Sequence, residues 1–370
     1  MKKFLFLSLA IVAISFFGCG DDGDSKPVDN FDRSVMLINW ADNIIVPAYE
    51  ASVASLTALE TAAQNFRQDA TAENLEAVQT TWLAAYRDWQ RSGMFQLGKA
   101  EELLLIEFMI LNPTDIAGIE SKIAVGNYNL DLPSQTTRQG FPALDYLLYG
   151  IGADNAEVLA AFQDAGTGEG YREYVLAAAS KMRQNMETVL SDWKNGYRDT
   201  FVGNAGSDAN ASTDRMTNDF IFYYEKHLRA GKVGIPAGVF SGDKLAGNVE
   251  AFYNKNVSKE LLLVGLDAMQ DFFNGVSYDG AVTGASMNAY LEELGSTKSD
   301  SPLATVINDQ FDEARTVING LGNDFAQIVD NDNISMLRAY DALQLNVVNI
   351  KVDMLQAMCI SVDYIDGDGD

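Results

Sequence analysis

Histidine, cysteine and proline are scarce in this chain. Its 370 residues include one histidine, two cysteines and seven prolines, and neither an H-E-x-x-H nor a C-x-x-C motif is present. Structural zinc needs about four Cys or His ligands, and hydrolytic zinc usually takes three protein ligands rich in His. A Ser-His-Asp or Cys-His mechanism would depend on His227 alone. Most familiar hydrolytic chemistry is therefore disfavoured, and the few prolines favour helices.

Basic residues are also few. Lys and Arg total 26 against 52 Asp and Glu, which gives a net charge of −26. Such a surface repels phosphate backbones, so we expect no nucleic-acid partner. Hydrophobic residues make up 47% of the chain, enough for the core of one large domain or two ordinary ones.

The N-terminus has the pattern of an export signal. Lys2 and Lys3 precede an uncharged run of 14 residues, 4–17, which is too short for a membrane span of about 20. Gly18-Cys19 at its end resembles a bacterial lipobox, so residues 1–18 are predicted to be a lipoprotein signal peptide and Cys19 the lipidated first residue. An ordinary cleaved signal with an incidental Cys19 is the alternative.

Residues 19–30 are polar and acidic and are predicted to form a flexible tether. Their acidic residues are similar to the export signals of some Bacteroidetes surface lipoproteins. We therefore expect a cell-envelope protein, anchored to the outer membrane through lipid on Cys19, either periplasmic or surface-exposed. The second cysteine, Cys359, lies in an apolar helical stretch and is expected to be a buried thiol.

Helical periodicity recurs along the rest of the chain and predicts an all-α fold. Thr71 is a predicted N-cap, and the helix after it places apolar and aromatic side chains on one side. A stretch at 194–214 is rich in Gly, Asn, Ser and Asp. We therefore predict two tandem helical bundles, an N-terminal one at 31–200 and a C-terminal one at 201–370.

Several segments, in order, resemble the imelysin family of bacterial envelope proteins. Residues 82–98 contain W-L-A-A and F-Q-L-G, similar to the family's W-x-x-A and F-R-F-G. Residues 139–150, Q-G-F-P-A-L-D-Y-L-L-Y-G, line up with the family signature G-x-H-x-x-E-F-L-L-W-G. The resemblance covers essentially the mature chain. It implies an all-helical fold of two bundles, with the signature near their interface.

The resemblance also implies a link to bacterial iron uptake and, through the founding member, a peptidase activity. The presumed metal-handling unit is the His and Glu of G-x-H-x-x-E. Here Pro142 stands at the His position and Asp145 at the Glu position. Gly93 replaces the Glu of the family's T-E-A-F segment. The resemblance therefore predicts the fold more firmly than the activity.

The candidate site residues also have purely structural readings. Gly140, Phe141 and Pro142 form a helix start, and Asp145 in its early turns would be stabilised by the helix dipole. Asp145 is alternatively a polar point facing a cleft, where it would bind a metal ion such as iron, or a substrate amine or hydroxyl. His227 is interpreted either as a hydrogen-bonded structural group near a helix C-terminus or as a ligand. Trp82 is interpreted either as a core residue or as part of a binding platform.

These residues support a leading hypothesis and two alternatives. The leading one is a non-catalytic envelope binding protein associated with iron or metal uptake, with a ligand cleft between the bundles. Its partners would be a metal ion or small molecule and an outer-membrane uptake protein. The first alternative is a metal-dependent peptidase using Asp145, His227 and further carboxylates. The second is a cell-surface adhesin or an accessory subunit of an uptake system.

Overall fold

Helices dominate the computed structural model, which describes residues 29–364. The predicted all-α class is confirmed, because the strands in the described residues amount to one short hairpin. Within the described range, no helix combines the length and the apolar character needed to cross a bilayer. Cys19 and the signal sequence lie outside the described residues.

The first half of the described chain consists of helices joined by short turns. Its α-helices are α1 (Arg33–Asn39), α2 (Val46–Gln68), α3 (Ala72–Ser92), α4 (Lys99–Glu102), α5 (Leu105–Ile110), α6 (Ile116–Val125), α7 (Gly140–Asp145), α8 (Asn155–Gln163), α9 (Gly168–Asp192) and α10 (Arg198–Gly203). Wider π-helical segments lie at Trp40–Ile45, Tyr146–Gly150 and Trp193–Tyr197, and a 3₁₀ helix at Pro133–Arg138.

The second half of the described chain also consists mainly of helices. Its α-helices are α11 (Ser212–Phe222), α12 (Ile235–Ala237), α13 (Ser258–Asn274), α14 (Met287–Glu293), α15 (Leu303–Asn319), α16 (Phe325–Asn331), α17 (Asn333–Val348) and α18 (Leu355–Met358). Segments Tyr223–Gly234 and Asn349–Met354 are π-helical, and Ala246–Asn248 is 3₁₀. Strands β1 (Thr297–Lys298) and β2 (Ser301–Pro302) pair antiparallel, with Thr297 opposite Pro302.

The long helix α2 packs against both α3 and α9, because each of the three buries one apolar stripe. The predicted cap at Thr71 is present: its hydroxyl accepts a hydrogen bond from the Asn74 N–H at 3.2 Å. In the second half, α15 packs against α17, which also contacts the π-helical Tyr223–Gly234 segment.

Contacts between the two halves begin at the start of the described chain. The Trp40 ring lies 4.9 Å from the Phe272 ring, and the Arg33 guanidinium donates to the Tyr290 hydroxyl at 2.6 Å. Helix α3 also packs against α13. The described residues from Phe31 onward belong to one compact unit. The division into bundles at 31–200 and 201–370 stays a prediction.

The expectation of a buried Cys359 was wrong, because this residue is exposed. Helix α18 ends at Met358, and Cys359 adopts a left-handed backbone conformation with φ 55°. The helical stripe that would have buried the thiol stops one residue earlier. Its neighbours Met358 and Ile360 are buried.

Candidate functional site

The segment that resembles the family signature starts a buried helix, α7. Gly140 has φ +75°, and a Cβ there would lie 2.3 Å from the carbonyl oxygen of Met109. Only glycine fits this combination of backbone angle and close approach. Pro142 follows in the first helical turn, where the missing N–H has no intrahelical acceptor. The predicted helix start is therefore observed.

Phe141 and Trp82 attach this helix to α3. The Trp82 indole N–H donates to the Phe141 carbonyl oxygen at 3.3 Å. The Phe141 ring stacks on Tyr86 with ring centroids 4.1 Å apart and an interplanar angle of 4°. Trp82 is fully buried. These aromatic residues are part of the core, and Trp82 offers no surface platform.

Asp145 connects α7 to the loop before α13. Its Oδ2 accepts from the Tyr253 N–H at 2.8 Å, and its Oδ1 accepts from the Asn254 N–H at 3.0 Å. The side chain is 2% exposed. Burial raises the pKa of Asp145 to about 7, the two hydrogen bonds oppose this rise, and nearby Glu250 adds to it. Both carboxylate oxygens therefore hold backbone of the second half.

A buried ion pair lies beside this link. The Lys232 ammonium contacts the Glu250 carboxylate, with the two side chains 5% and 7% exposed. Gln90 on α3 donates to Glu250 Oε1 at 3.0 Å, and the Ser258 hydroxyl donates to the Glu250 carbonyl oxygen at 2.8 Å. Burial lowers the pKa of Lys232, and Glu250 opposes that shift. This network joins the two halves through charged groups that sequence patterns did not single out.

A cavity of about 190 Å³ lies between the first half and the helix formed by residues 212–234. Its lining comes from the turn after α3, from α4, α5 and their junction, and from residues 219–227: Met94, Gln96, Glu101, Leu104, Ile106, Glu107, Asp219, Phe222, Tyr223 and His227.

His227 lies on the helix of residues 212–234 and lines this cavity. Its ring contacts Phe222 and Tyr223 at centroid distances of 5.6 and 5.5 Å. Burial, with a smaller effect of Lys232, lowers the His227 pKa to about 4, so the ring is neutral at pH 7.

Asp219 is the residue of this cavity that sequence reasoning missed. Its Oδ2 is buried and has no hydrogen-bond partner among the described residues. Burial raises the pKa of Asp219 to about 7, Arg215 opposes the rise, and Asp363 and Glu101 add to it. The Tyr223 hydroxyl in the same wall is also buried without a described partner. The only sequence signal was the placement of Asp219 and His227 on one helix.

The signature residues do not fit a metal ion. Pro142 has no ligand atom, and both Asp145 oxygens accept backbone hydrogen bonds. Within residues 29–364, no group of three or more His, Cys, Asp and Glu side chains is placed to hold a metal. The structure places Asp145 at the loop contact and His227 in the cavity lining. What the cavity offers chemically is the carboxyl groups of Glu101, Glu107 and Asp219, a neutral imidazole and a phenol beside apolar side chains.

Comparison with known proteins gives matches over most of the chain. The family model described as imelysin, Peptidase_M75, matches residues 45–349. "Iron-regulated protein A" of Synechococcus elongatus is 22% identical over 322 residues, which are 84% of this chain and 81% of the relative.

Two solved structures have the same fold. One, presented as an iron-regulated protein A precursor from Parabacteroides distasonis, aligns with a TM-score of 0.72 at 18% identity. The other, an imelysin-like protein from Psychrobacter arcticum, aligns with a TM-score of 0.69 at 16% identity. Each match covers 90% of this chain and 97% of the solved chain.

Proposed function

Since the chain belongs to the imelysin family, we propose that it is a non-catalytic binding protein of the bacterial cell envelope that acts in the response to iron. Its ligand occupies the cavity between the first half and residues 212–234. The names of the relatives support the link to iron, because two of them are iron-regulated protein A or its precursor. The lipobox-like Cys19 supports the envelope location and the anchor to the outer membrane.

One observation supports binding over peptidase chemistry: the way Asp145 is used. In the family signature this position and the one occupied by Pro142 are the presumed metal-handling pair. Here the carboxylate is buried and accepts two backbone hydrogen bonds at 2.8 and 3.0 Å. Binding a cation would require Asp145 to release the Tyr253 and Asn254 N–H groups, and each unsatisfied buried group costs about 1–3 kcal/mol. The signature therefore acts as a structural connection.

The test measures metal retention and peptide cleavage on the purified protein. The wild type and Asp145→Asn are incubated with iron, zinc, copper or calcium, desalted, and analysed by metal mass spectrometry and with a broad peptide library. We expect no cleavage, and metal retention that does not differ between the two proteins. The double variant Pro142→His with Asp145→Glu, which restores the family residues, serves as the comparison for a ligand-bearing signature.

Metal retained at one equivalent by the wild type and lost in Asp145→Asn, together with metal-dependent cleavage, would establish the peptidase alternative instead. The iron link is tested separately by measuring the amount of the protein in cells grown with and without an iron chelator. A severalfold change is expected. An unchanged amount would remove the link to iron and leave the binding role standing.

A further inference from the structure

We propose that the cavity beside Asp219 binds a small organic cation, a protonated amine on an apolar body. This inference rests on the proposed binding function and names the class of ligand for it. The polar atoms of the lining that have no hydrogen-bond partner among the described residues point to such a ligand, and so do the volume of the cavity and the charge around it.

One oxygen of the Asp219 carboxylate, Oδ2, is buried without a hydrogen-bond partner among the described residues. Burying an unpaired polar or charged group costs free energy unless a partner compensates it. Asp219 also lines the cavity. The Tyr223 hydroxyl, equally without a described partner, lies in the same lining.

The remaining walls suit an apolar body of limited size. Met94, Leu104, Ile106 and Phe222 contribute hydrophobic surface. The volume of about 190 Å³ lies below the roughly 300–1,000 Å³ of common ligand pockets, and corresponds to about six water molecules at about 30 Å³ each. A single ring carrying a short amine is the right scale. Phe222 and Tyr223 also line the cavity, and aromatic rings attract cations.

Charge and ligand count favour an amine over a metal ion or an anion. Glu101 and Glu107 line the cavity together with Asp219, which disfavours an anion. A metal needs several converging ligands, and residues 29–364 place no three His, Cys, Asp or Glu side chains for one. An ammonium group needs only one carboxylate and neutral acceptors. His227, neutral at pH 7, supplies such an acceptor without competing for Asp219.

Binding of the amine also has a proton signature. The titratable groups that act on Asp219, or that Asp219 acts on, are Arg215 on α11, Glu101 on α4, Asp363 near the C-terminus, and the phenols Tyr49 and Tyr197. Burial raises the pKa of Asp219 to about 7, so a fraction of the free protein carries the Asp219 proton at pH 7. Pairing with an ammonium ion holds the carboxylate ionised, so binding releases that fraction of a proton per amine.

The experiment is isothermal titration calorimetry of the purified full chain with three isosteric probes: benzylamine, benzyl alcohol and benzoate. We expect benzylamine to bind about tenfold or more tightly than benzyl alcohol, because its ammonium forms a charge-assisted hydrogen bond to Asp219. Benzoate should not bind. Repeating the benzylamine titration at pH 7 in buffers of different ionisation enthalpy measures the released proton.

Two variants locate the interaction. Asp219→Asn keeps the shape of the side chain and should lower benzylamine affinity about tenfold, abolish proton release and leave benzyl alcohol binding unchanged. Asp214→Asn is the matched control, because it removes a buried carboxylate from the same helix. The Asp214 carboxylate pairs with Arg33 and does not line the cavity. It should bind benzylamine like the wild type.

The two proposals fail in different ways. Equal affinity for benzylamine and benzyl alcohol, or unchanged benzylamine affinity in Asp219→Asn, would overturn the organic-cation assignment and leave the cavity as a binding site. Because the probe series is measured first on the wild type, this outcome does not depend on how well a variant folds. If none of the three probes binds, both the cation assignment and the cavity as the ligand site are overturned.

Discussion

Replacing Asp145 with asparagine removes the titration of a buried carboxyl group while keeping its shape. In the folded protein the pKa of this group is raised from 3.8 to about 7, chiefly by burial. At pH 5 the folded state therefore holds a proton on Asp145 that the unfolded chain has released. Stability supplied by that proton is present at low pH and is lost as the pH rises through 7.

The magnitude follows from the width of the pH window. Two pH units separate pH 5 from the folded pKa of about 7, and each unit corresponds to about 1.4 kcal/mol, so about 3 kcal/mol is lost by pH 8. The asparagine side chain of the variant cannot titrate, so Asp145→Asn loses nothing from this position. The free energy of unfolding of the wild type, relative to Asp145→Asn, should fall by about 3 kcal/mol between pH 5 and pH 8.

The assay is urea unfolding followed by circular dichroism at pH 5, 6, 7 and 8, on the wild type, Asp145→Asn and Glu293→Gln. Other buried carboxyl groups such as Asp219 change the stability of all three proteins alike, so they cancel in the differences. Glu293 is exposed, and its variant should follow the wild-type curve. Any constant offset caused by the changed hydrogen bonds to Tyr253 and Asn254 does not affect the slope.

Parallel stability curves for the wild type and Asp145→Asn across pH 5–8 would refute the reasoning. They would mean that Asp145 titrates in the folded protein as it does in the unfolded chain. The effect of burial on this carboxylate would then be fully offset, by the two backbone hydrogen bonds or by solvent, and the raised pKa would be wrong.

Three further changes have defined outcomes. Lys232→Met leaves Glu250 buried without its cation and should lower the free energy of unfolding by about 3–5 kcal/mol, measured by urea unfolding, with part of the loss recovered in Lys232→Met with Glu250→Gln. Gly140→Ala places a Cβ 2.3 Å from the Met109 carbonyl oxygen and should cost at least about 1 kcal/mol, seen as a lower urea midpoint. Cys19→Ser should move the protein from the membrane fraction to the soluble fraction of the producing cells, as read by immunoblot, whereas equal distribution of the two proteins would contradict lipid anchoring.

Local features of this fold were predictable because they depend on neighbouring residues. Helical spacing of apolar side chains predicts the all-α class, and the Thr71 cap and the Gly140 helix start follow from short-range rules. Cys359 shows the limit of such rules: one left-handed residue ended the helix and exposed a side chain that the apolar stripe would have buried.

The candidate site depends on contacts that no local pattern encodes. Asp145 meets backbone groups 108 and 109 residues further along the chain. The carboxylates of Glu250 and Asp219 look like ordinary surface charges in the sequence, yet in the folded chain Glu250 is 5% exposed and the Oδ2 atom of Asp219 is buried. His227 lies in the cavity lining, but its neighbours there could not be named from spacing on one helix.

The contact of Arg33 with Tyr290 spans 257 residues of sequence, and this has a consequence for the newborn chain. At a synthesis rate of about 5–20 residues per second, the partner emerges roughly 13–50 s after Arg33. Until then the first turns of the described chain lack these contacts with the second half, while α1 already meets α10 and α11. The packing of this segment is thus completed late in synthesis, and a chain that stops before Phe272 lacks the contact between Trp40 and Phe272.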